Sequence, residues 1–224
     1  MKLDLSSQSS VRQFASEILR TVNKIDVLIH NSGCASTSIK KKSVDGIELT
    51  MATNHYGPFL LTHLLIDLLK KSAPARIVIV SSAYYKVARV DMTNLNPVNV
   101  FPMYLYYVSK TANIMFALEL ARRLKNTQIT VNVLNPGMCS TAIFKKVPLP
   151  LNILVKHSFK TSKEGAQTII MCAVSKSLEG ITGKYFSDCR ETKLMDFVQN
   201  VGVNNKLWEE SAKIVKIKST DAQL

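Results

Sequence analysis

Apolar runs with the length of buried strands alternate along this chain with segments of helical periodicity. Three runs rich in β-branched residues lie at 25–29, 76–80 and 129–134. Runs of this kind are typical of parallel strands that are covered on both faces. Between them, the stretches at 46–71 and 104–125 space their apolar residues as helices do. The alternation predicts an α/β fold, a parallel sheet with helices on both faces.

Weaker signals extend this pattern toward both ends of the chain. The serines at 6–7 can cap a first helix, and a helix over about 162–175 precedes a short strand near 184–186. A last helix falls within 192–215. The 224 residues suit a single domain with a sizeable core, and we assign residues 216–224 to a polar tail.

The charge and the cysteines exclude several classes of protein. The formal charge of +13 comes from lysines in short groups without interleaved aromatic residues, which is unlike a nucleic-acid surface. We therefore expect no nucleic-acid partner, although attraction of anionic lipid or of a phosphorylated ligand stays an alternative. The four cysteines form no C-x-x-C pair, so neither a metal site nor a disulfide framework is expected, and a reducing compartment is favoured.

The sequence also bears on location. No apolar run reaches the roughly 18 residues of a transmembrane helix, and the first residues lack the apolar stretch of a signal peptide. The chain as written is therefore expected to be cytoplasmic, with no transmembrane segment.

Polar residues follow each of the three apolar runs. In a parallel α/β sheet, ligands bind beyond the carboxyl ends of the strands. The residues at these ends are Asn31 and Gly33, then Ser81 and Ser82, then Asn135, Pro136 and Gly137. We therefore expect a ligand site where these three ends meet.

Tyr106 and Lys110 lie four residues apart on the predicted helix and so share one of its faces. A nearby ammonium favours the phenolate and lowers a tyrosine pKa from its usual value of about 10. Such a tyrosine can act as a general acid or base, and a serine at a strand end could hold the same substrate oxygen. The spacing alone also fits an ordinary surface pair.

Taken in order, the motifs resemble those of the short-chain dehydrogenase/reductase family, and within it the retinol dehydrogenase-like members. The matching segments are His30-Asn31-Ser32-Gly33, Asn54 in Thr53-Asn-His-Tyr-Gly57, Ser82, Tyr106-x-x-x-Lys110, and Asn135-Pro-Gly137 through Thr141. The resemblance covers nearly the whole chain. It implies a Rossmann-like doubly wound parallel sheet and an oxidoreductase that transfers a hydride between NADP(H) and a retinoid-like or other lipophilic alcohol or aldehyde, with NAD as the alternative cofactor.

The resemblance also implies a role for each matching residue. Tyr106 would exchange a proton with the substrate oxygen, Lys110 would lower its pKa and bind the nicotinamide ribose, and Ser82 would polarise the oxygen. Asn54 would hold a water that links Lys110 to solvent. The remaining residues implied to contact the cofactor are Asp4, Asn31, Gly33, Pro136, Gly137 and Thr141.

A basic and apolar stretch at 139–160 is predicted to form a flap over the substrate. It contains two prolines, which disfavour a regular element. The apolar residues able to cover a lipophilic substrate are Phe144, Val147, Leu149, Leu151, Ile153 and Leu154.

The chain departs from the family pattern at its start. Family members begin with a strand and a Thr-Gly-x-x-x-Gly-x-Gly turn that holds the pyrophosphate, whereas the earliest glycine here is Gly33. We therefore expect a Rossmann-like sheet truncated at its N-terminus, without the first strands and the glycine-rich turn. The strand at 25–29 would then form an uncovered apolar edge that promotes aggregation. A longer form could reside at the endoplasmic reticulum membrane.

Two functions stay open at this point. The chain can be an oxidoreductase that is impaired by the missing cofactor loop. The alternative is a non-catalytic remnant or dimerisation partner, with a homodimer formed through the helices at about 50–71 and 104–124.

Overall fold

The computed structural model describes residues 1–35, 39–139, 159–219, 221 and 224. The helices are α1 (Gln8–Thr21), α2 (Leu49–Met51), α3 (Gly57–Lys71), α4 (Pro102–Arg123), α5 (Ser162–Val174) and α6 (Val201–Ile214). The strands are β1 (Val27–His30), β2 (Ala75–Val80), β3 (Ile129–Asn135), β4 (Tyr185–Ser187) and β5 (Arg190–Glu191). A π-helical segment (Ala52–Tyr56) joins α2 to α3, and 3₁₀ turns lie at Ala83–Val87, Lys176–Leu178 and Asp196–Gln199.

The strands form one sheet in the order β1-β2-β3-β4-β5. The first four strands are parallel, as predicted, and β5 pairs antiparallel with β4. Within the described part of the chain, β1 pairs with β2 alone and is therefore an edge strand. The predicted uncovered edge is confirmed, since Ile29 of β1 is 42% exposed.

Helices cover both faces of the sheet. On one face, α1, α3, α4 and α6 pack over a core that includes Phe59, Ile77, Leu120 and Val131. On the other face, α5 packs against β2 and β3, where Cys172 joins a smaller apolar cluster. None of the helices in the described ranges combines the length and the apolar character that crossing a membrane requires.

Local sequence signals explain where the helices begin. The hydroxyl of Ser7 accepts a hydrogen bond from the backbone N–H of Ser10 and caps α1. Thr161 and Glu164 cap α5 reciprocally, each side chain accepting from the other's backbone N–H. Pro102 opens α4, where its missing N–H would have no helical partner anyway.

Gly57 fixes the first residues of the chain against α3. A Cβ at position 57 would clash with the backbone oxygen of Leu5, so a side chain here would force the two backbones apart. This close approach holds the segment before α1 next to the π-helical segment, which carries one of the predicted site residues.

Candidate active site

A cavity of about 520 Å³ opens at the carboxyl ends of β1, β2 and β3, the position expected for ligands in a sheet of this type. Most of the predicted site residues line it, namely Asn31, Gly33, Ser82, Tyr106, Lys110, Pro136 and Gly137. Thr141 and the predicted apolar cover lie outside the described residues. The residues from three strand ends and from α4 therefore meet in one place.

Lys110 is buried at the floor of this cavity. Its Nζ donates a hydrogen bond to the backbone oxygen of Val80 across 3.0 Å, and the side chain is almost fully enclosed. Burial lowers the pKa of Lys110 to about 8, because removing an ammonium from water disfavours its charged form. Lys110 is thus a cation that a modest rise in pH can neutralise.

Tyr106 lies on the same face of α4, with the Lys110 Nζ 5.6 Å from the centre of its ring. Burial raises the pKa of Tyr106 to about 12, although a hydrogen bond with the Ser82 side chain opposes the shift. The net shift is upward because burial of the phenol dominates, and the expectation that Lys110 lowers the pKa of Tyr106 stays a prediction. The phenol of Tyr106 is protonated at neutral pH.

Asn54 lies behind the cavity wall, fully buried in the π-helical segment. Its Oδ1 accepts from the backbone N–H of Cys34, and its Nδ2 donates to the backbone oxygen of Cys34, both at 2.8 Å. The same Nδ2 donates to the Ser109 hydroxyl at 3.0 Å. Asn54 therefore ties the loop after β1 to α4, while its implied role in holding a water stays a prediction. Segments of π-helix are frequent at functional sites.

Two glycines shape the cavity. A Cβ at position 33 would lie 3.2 Å from the Lys110 Nζ and 3.6 Å from the Asn54 Oδ1. Gly137 has a φ of +84°, which disfavours other residues, and its N–H donates to the Asn135 side chain at 3.1 Å. The backbone conformation ties position 137 to glycine, whereas a Cβ at position 33 would displace the Lys110 ammonium by a few tenths of an ångström.

Asp4 does not lie in the cavity wall. Its Oδ1 accepts hydrogen bonds from the hydroxyl and the backbone N–H of Ser6, at 2.7 and 2.9 Å, and these bonds lower the pKa of Asp4. Its implied contact with the adenine ring stays a prediction.

The sequence did not reveal the apolar part of the wall. Six further residues line the cavity with apolar or aromatic side chains, namely Val80, Ala83, Tyr84, Met103, Tyr107 and Met138. The rings of Tyr84 and Tyr107 stack with their centres 4.7 Å apart and their planes at 25°. Two positions carried a usable signal, since Tyr84 follows the end of β2 and Tyr107 directly follows Tyr106.

The cavity, the paired Tyr106 and Lys110, and the strand order define a class of protein. Residues 1–151 match the model of the short chain dehydrogenase family, and the chain belongs to this family. It is 44% identical over 226 aligned residues to Retinol dehydrogenase 14 from Mus musculus, covering 96% of this chain and 66% of that protein. The chain thus spans just under two thirds of the length of this relative.

Solved structures confirm the Rossmann-like fold. An uncharacterized protein from Mycobacterium Paratuberculosis superposes with a TM-score of 0.71 at 27% identity, covering 96% of this chain and 75% of that one. The Pseudomonas aeruginosa RhlG/NADP active-site complex superposes with a TM-score of 0.64 at 22% identity, covering 83% of this chain and 73% of that one.

Proposed function

We propose that this chain is an oxidoreductase that transfers a hydride between NADP(H) and a lipophilic alcohol or aldehyde, retinoid-like compounds included. The observation that carries the proposal is the meeting of Ser82, Tyr106 and Lys110 in one cavity beyond the strand ends. The name of the mouse relative supports a retinoid-like substrate. The NADP in the Pseudomonas aeruginosa complex supports the cofactor, with NAD as the alternative.

The floor of the cavity fits the nicotinamide end of such a cofactor. An ammonium has three donors, and Val80 accepts one from Lys110, so two are available for ribose hydroxyls. The absence of a side chain at Gly33 leaves space for the ribose beside Lys110. A methyl group at this position would lie 3.2 Å from the Lys110 Nζ and would occupy that space. Asn31, Pro136 and Gly137 would hold the nicotinamide from the sides. The bound cofactor supplies or accepts the hydride.

The protonation of Tyr106 favours reduction of a carbonyl. Its pKa of about 12 keeps the phenol protonated at neutral pH, so it can give a proton to the oxygen of a carbonyl that is becoming an alkoxide. Ser82, which lines the same cavity, would hold the same oxygen. The phenolate left behind is stabilised by the Lys110 ammonium and regains its proton from solvent.

The dimerisation alternative receives less support from the packing. The helices expected to form a dimer bury their apolar faces inside the chain, α3 against α1 and α4 against α6. Few apolar side chains of these two helices are therefore available to a second copy.

Binding and turnover measurements test the proposal. We expect the chain to bind NADPH in calorimetry and to oxidise it in the presence of retinal or decanal. Tyr106→Phe should lower kcat by at least about 100-fold, the typical contribution of a general acid. Tyr104→Phe is the matched control, since Tyr104 is on the same helix and lines a different cavity. Absence of both binding and turnover, with NADH as well as NADPH, would establish the non-catalytic alternative.

A further inference from the structure

Two side-chain contacts and one backbone contact fix Tyr84 in the cavity wall. Its backbone N–H donates to the Ser82 hydroxyl at 3.3 Å. Its ring stacks on Tyr107 of α4, and its hydroxyl donates to the Met138 sulfur at 3.3 Å. A side chain held by a ring stack and by a hydrogen bond of its hydroxyl has little rotamer freedom to lose when a ligand packs against it.

The Tyr84 ring also lies close to the proton donor. Tyr84, Tyr106 and Tyr107 line the same cavity, and the backbone N–H of Tyr84 is hydrogen-bonded to the hydroxyl of Ser82. The rings of Tyr106 and Tyr107 meet edge to face at 6.1 Å. Ser82, Tyr84 and Tyr106 line the same cavity, so the atoms next to a substrate oxygen held by Ser82 and Tyr106 can pack against the Tyr84 ring.

The surface that Tyr84 offers is flat and apolar. Tyr107 covers one face of the ring, and the Met138 sulfur accepts a hydrogen bond from the Tyr84 hydroxyl. The contact with the substrate is then made by the remaining ring face. Aromatic faces favour flat π systems, which can stack on them, over puckered or twisting saturated chains.

We propose that Tyr84 is a specificity-determining residue that selects carbonyl substrates whose conjugated, planar portion begins directly at the carbonyl carbon. The proposal rests on the function proposed above and deepens it, because lipophilicity alone does not distinguish a conjugated chain from a saturated one. A polyene aldehyde lays its π plane along the Tyr84 ring while its oxygen contacts Ser82 and Tyr106. A saturated aldehyde of equal length gains only ordinary apolar contact.

Two aldehydes of equal carbon number, decadienal and decanal, test this selection in the full chain. We expect kcat/KM with NADPH to be roughly three- to tenfold higher for decadienal, the size of an aromatic stacking interaction. Tyr84→Leu should bring the ratio of the two values close to one, because leucine keeps apolar volume and removes the flat face. Tyr84→Phe should keep the preference, because the ring remains and still stacks on Tyr107.

Tyr104→Leu is the matched control, since this tyrosine of α4 is also partly exposed, at 40%, and lines another cavity. It should leave the ratio unchanged. Circular dichroism and thermal melts of each variant report whether it folds. If Tyr84→Leu unfolds, Tyr84→Met provides a second flexible, apolar replacement.

Equilibrium binding of the two aldehydes, measured without turnover, separates this proposal from the proposed function. No reduction of either aldehyde, together with a dienal binding preference that Tyr84→Leu removes, would overturn the function and support the selection. No preference in binding or turnover would overturn the selection. A preference that survives in Tyr84→Leu, or that disappears equally in Tyr104→Leu, would also overturn it.

Discussion

The ammonium of Lys110 and the backbone oxygen of Val80 form a hydrogen bond of 3.0 Å between the middle of α4 and the last residue of β2. A second bond runs the other way, from the Ser81 hydroxyl to the backbone oxygen of Lys110 at 2.7 Å. The strand end and the helix are thus joined twice at the same residue. A change that weakens either hydrogen bond should therefore displace Lys110, the proposed cofactor contact, and Tyr106, the proposed proton donor, together.

Substitution of Ser81 should mainly affect stability, and substitution of Ser82 should mainly affect turnover. Ser81→Ala should lower the free energy of unfolding by about 1 kcal/mol, because it removes a buried hydrogen bond; Ser81 is 2% exposed. Ser82→Ala should cost less stability, because the hydroxyl accepts only a long hydrogen bond of 3.3 Å from the Tyr84 backbone N–H, and it should reduce turnover, since Ser82 faces the cavity. Urea titrations and NADPH-dependent aldehyde reduction measure the two effects. Equal losses of stability in both variants would contradict this division.

Gly33→Ala should weaken NADPH binding by about tenfold or more, because a Cβ would stand 3.2 Å from the Lys110 Nζ where a ribose is proposed, and one lost hydrogen bond to a charged group is of that order. Calorimetric titration with NADPH measures the change. Gly202→Ala in α6 is the control, since its nearest neighbour, Asn200 Oδ1, would be 3.4 Å away. Unchanged affinity in Gly33→Ala would remove the proposed ribose contact from Lys110.

The pH dependence of NADPH binding should reflect Lys110. With a pKa of about 8, its ammonium is mostly present below that pH and is lost above it. The affinity for NADPH should therefore fall as pH rises through about 8, as read from calorimetry at a series of pH values. Lys110→Arg keeps its charge at higher pH and should flatten this fall. A wild-type affinity that stays constant through the same range would contradict the assignment.

Buried histidines should make the fold sensitive to mild acid. Burial lowers the pKa of His30, His55 and His63 to about 4, while unfolded histidine titrates near its ordinary value of about 6.5. Between these values the unfolded chain binds more protons, so stability present above pH 6.5 is lost progressively as pH falls toward 4. The loss is on the order of 1–2 kcal/mol per histidine by about pH 5.

Urea titrations at several pH values measure this loss. His55→Gln removes one of the three groups and should reduce the slope of stability against pH by about a third, whatever its effect on stability at neutral pH. A slope that His55→Gln leaves unchanged would show that other groups control the acid sensitivity.

The free edge at β1 should promote self-association. Ile29 exposes 42% of its surface on this edge strand, and lysine at such positions opposes edge-to-edge pairing. Ile29→Lys should therefore reduce light scattering of concentrated samples, with the unfolding midpoint nearly unchanged. Val44→Lys adds the same charge at an apolar residue outside the sheet, 86% exposed, and should have a smaller effect. An equal reduction of light scattering in both variants would show that the added net charge, and not the edge strand, is responsible.

The framework could be predicted because its signals are local. The run at 25–29 overlaps β1 in three of its four residues, and the pairing of Tyr106 with Lys110 follows from helical spacing on α4. Strand β5 could not be predicted, because two exposed residues carry no apolar pattern. It depends on a turn in which Asp188 and Cys189 adopt φ values of 51° and 56°.

The chemical character of the site was harder to predict. The stack of Tyr84 on Tyr107 joins a 3₁₀ turn to a helix, and no spacing rule connects two such elements. The raised pKa of Tyr106 depends on burial by the folded chain, whereas the sequence showed only the neighbouring lysine. The shape of the cavity wall and the pKa of Tyr106 thus depend on contacts between distant segments, which local sequence patterns do not reveal.

The side-chain amide of Asn54 pairs with the backbone of Cys34 in the way that a residue of a neighbouring strand would. The amide accepts a hydrogen bond from the N–H of Cys34 and donates one to its carbonyl. Two paired residues in an antiparallel ladder exchange the same pair of hydrogen bonds. A single side chain thereby substitutes for a strand that the sheet does not provide at this point. The chain beside Gly33 consequently gains the stiffness of a sheet while keeping the irregular path of a loop, and the floor of the cavity stays in place without regular structure of its own.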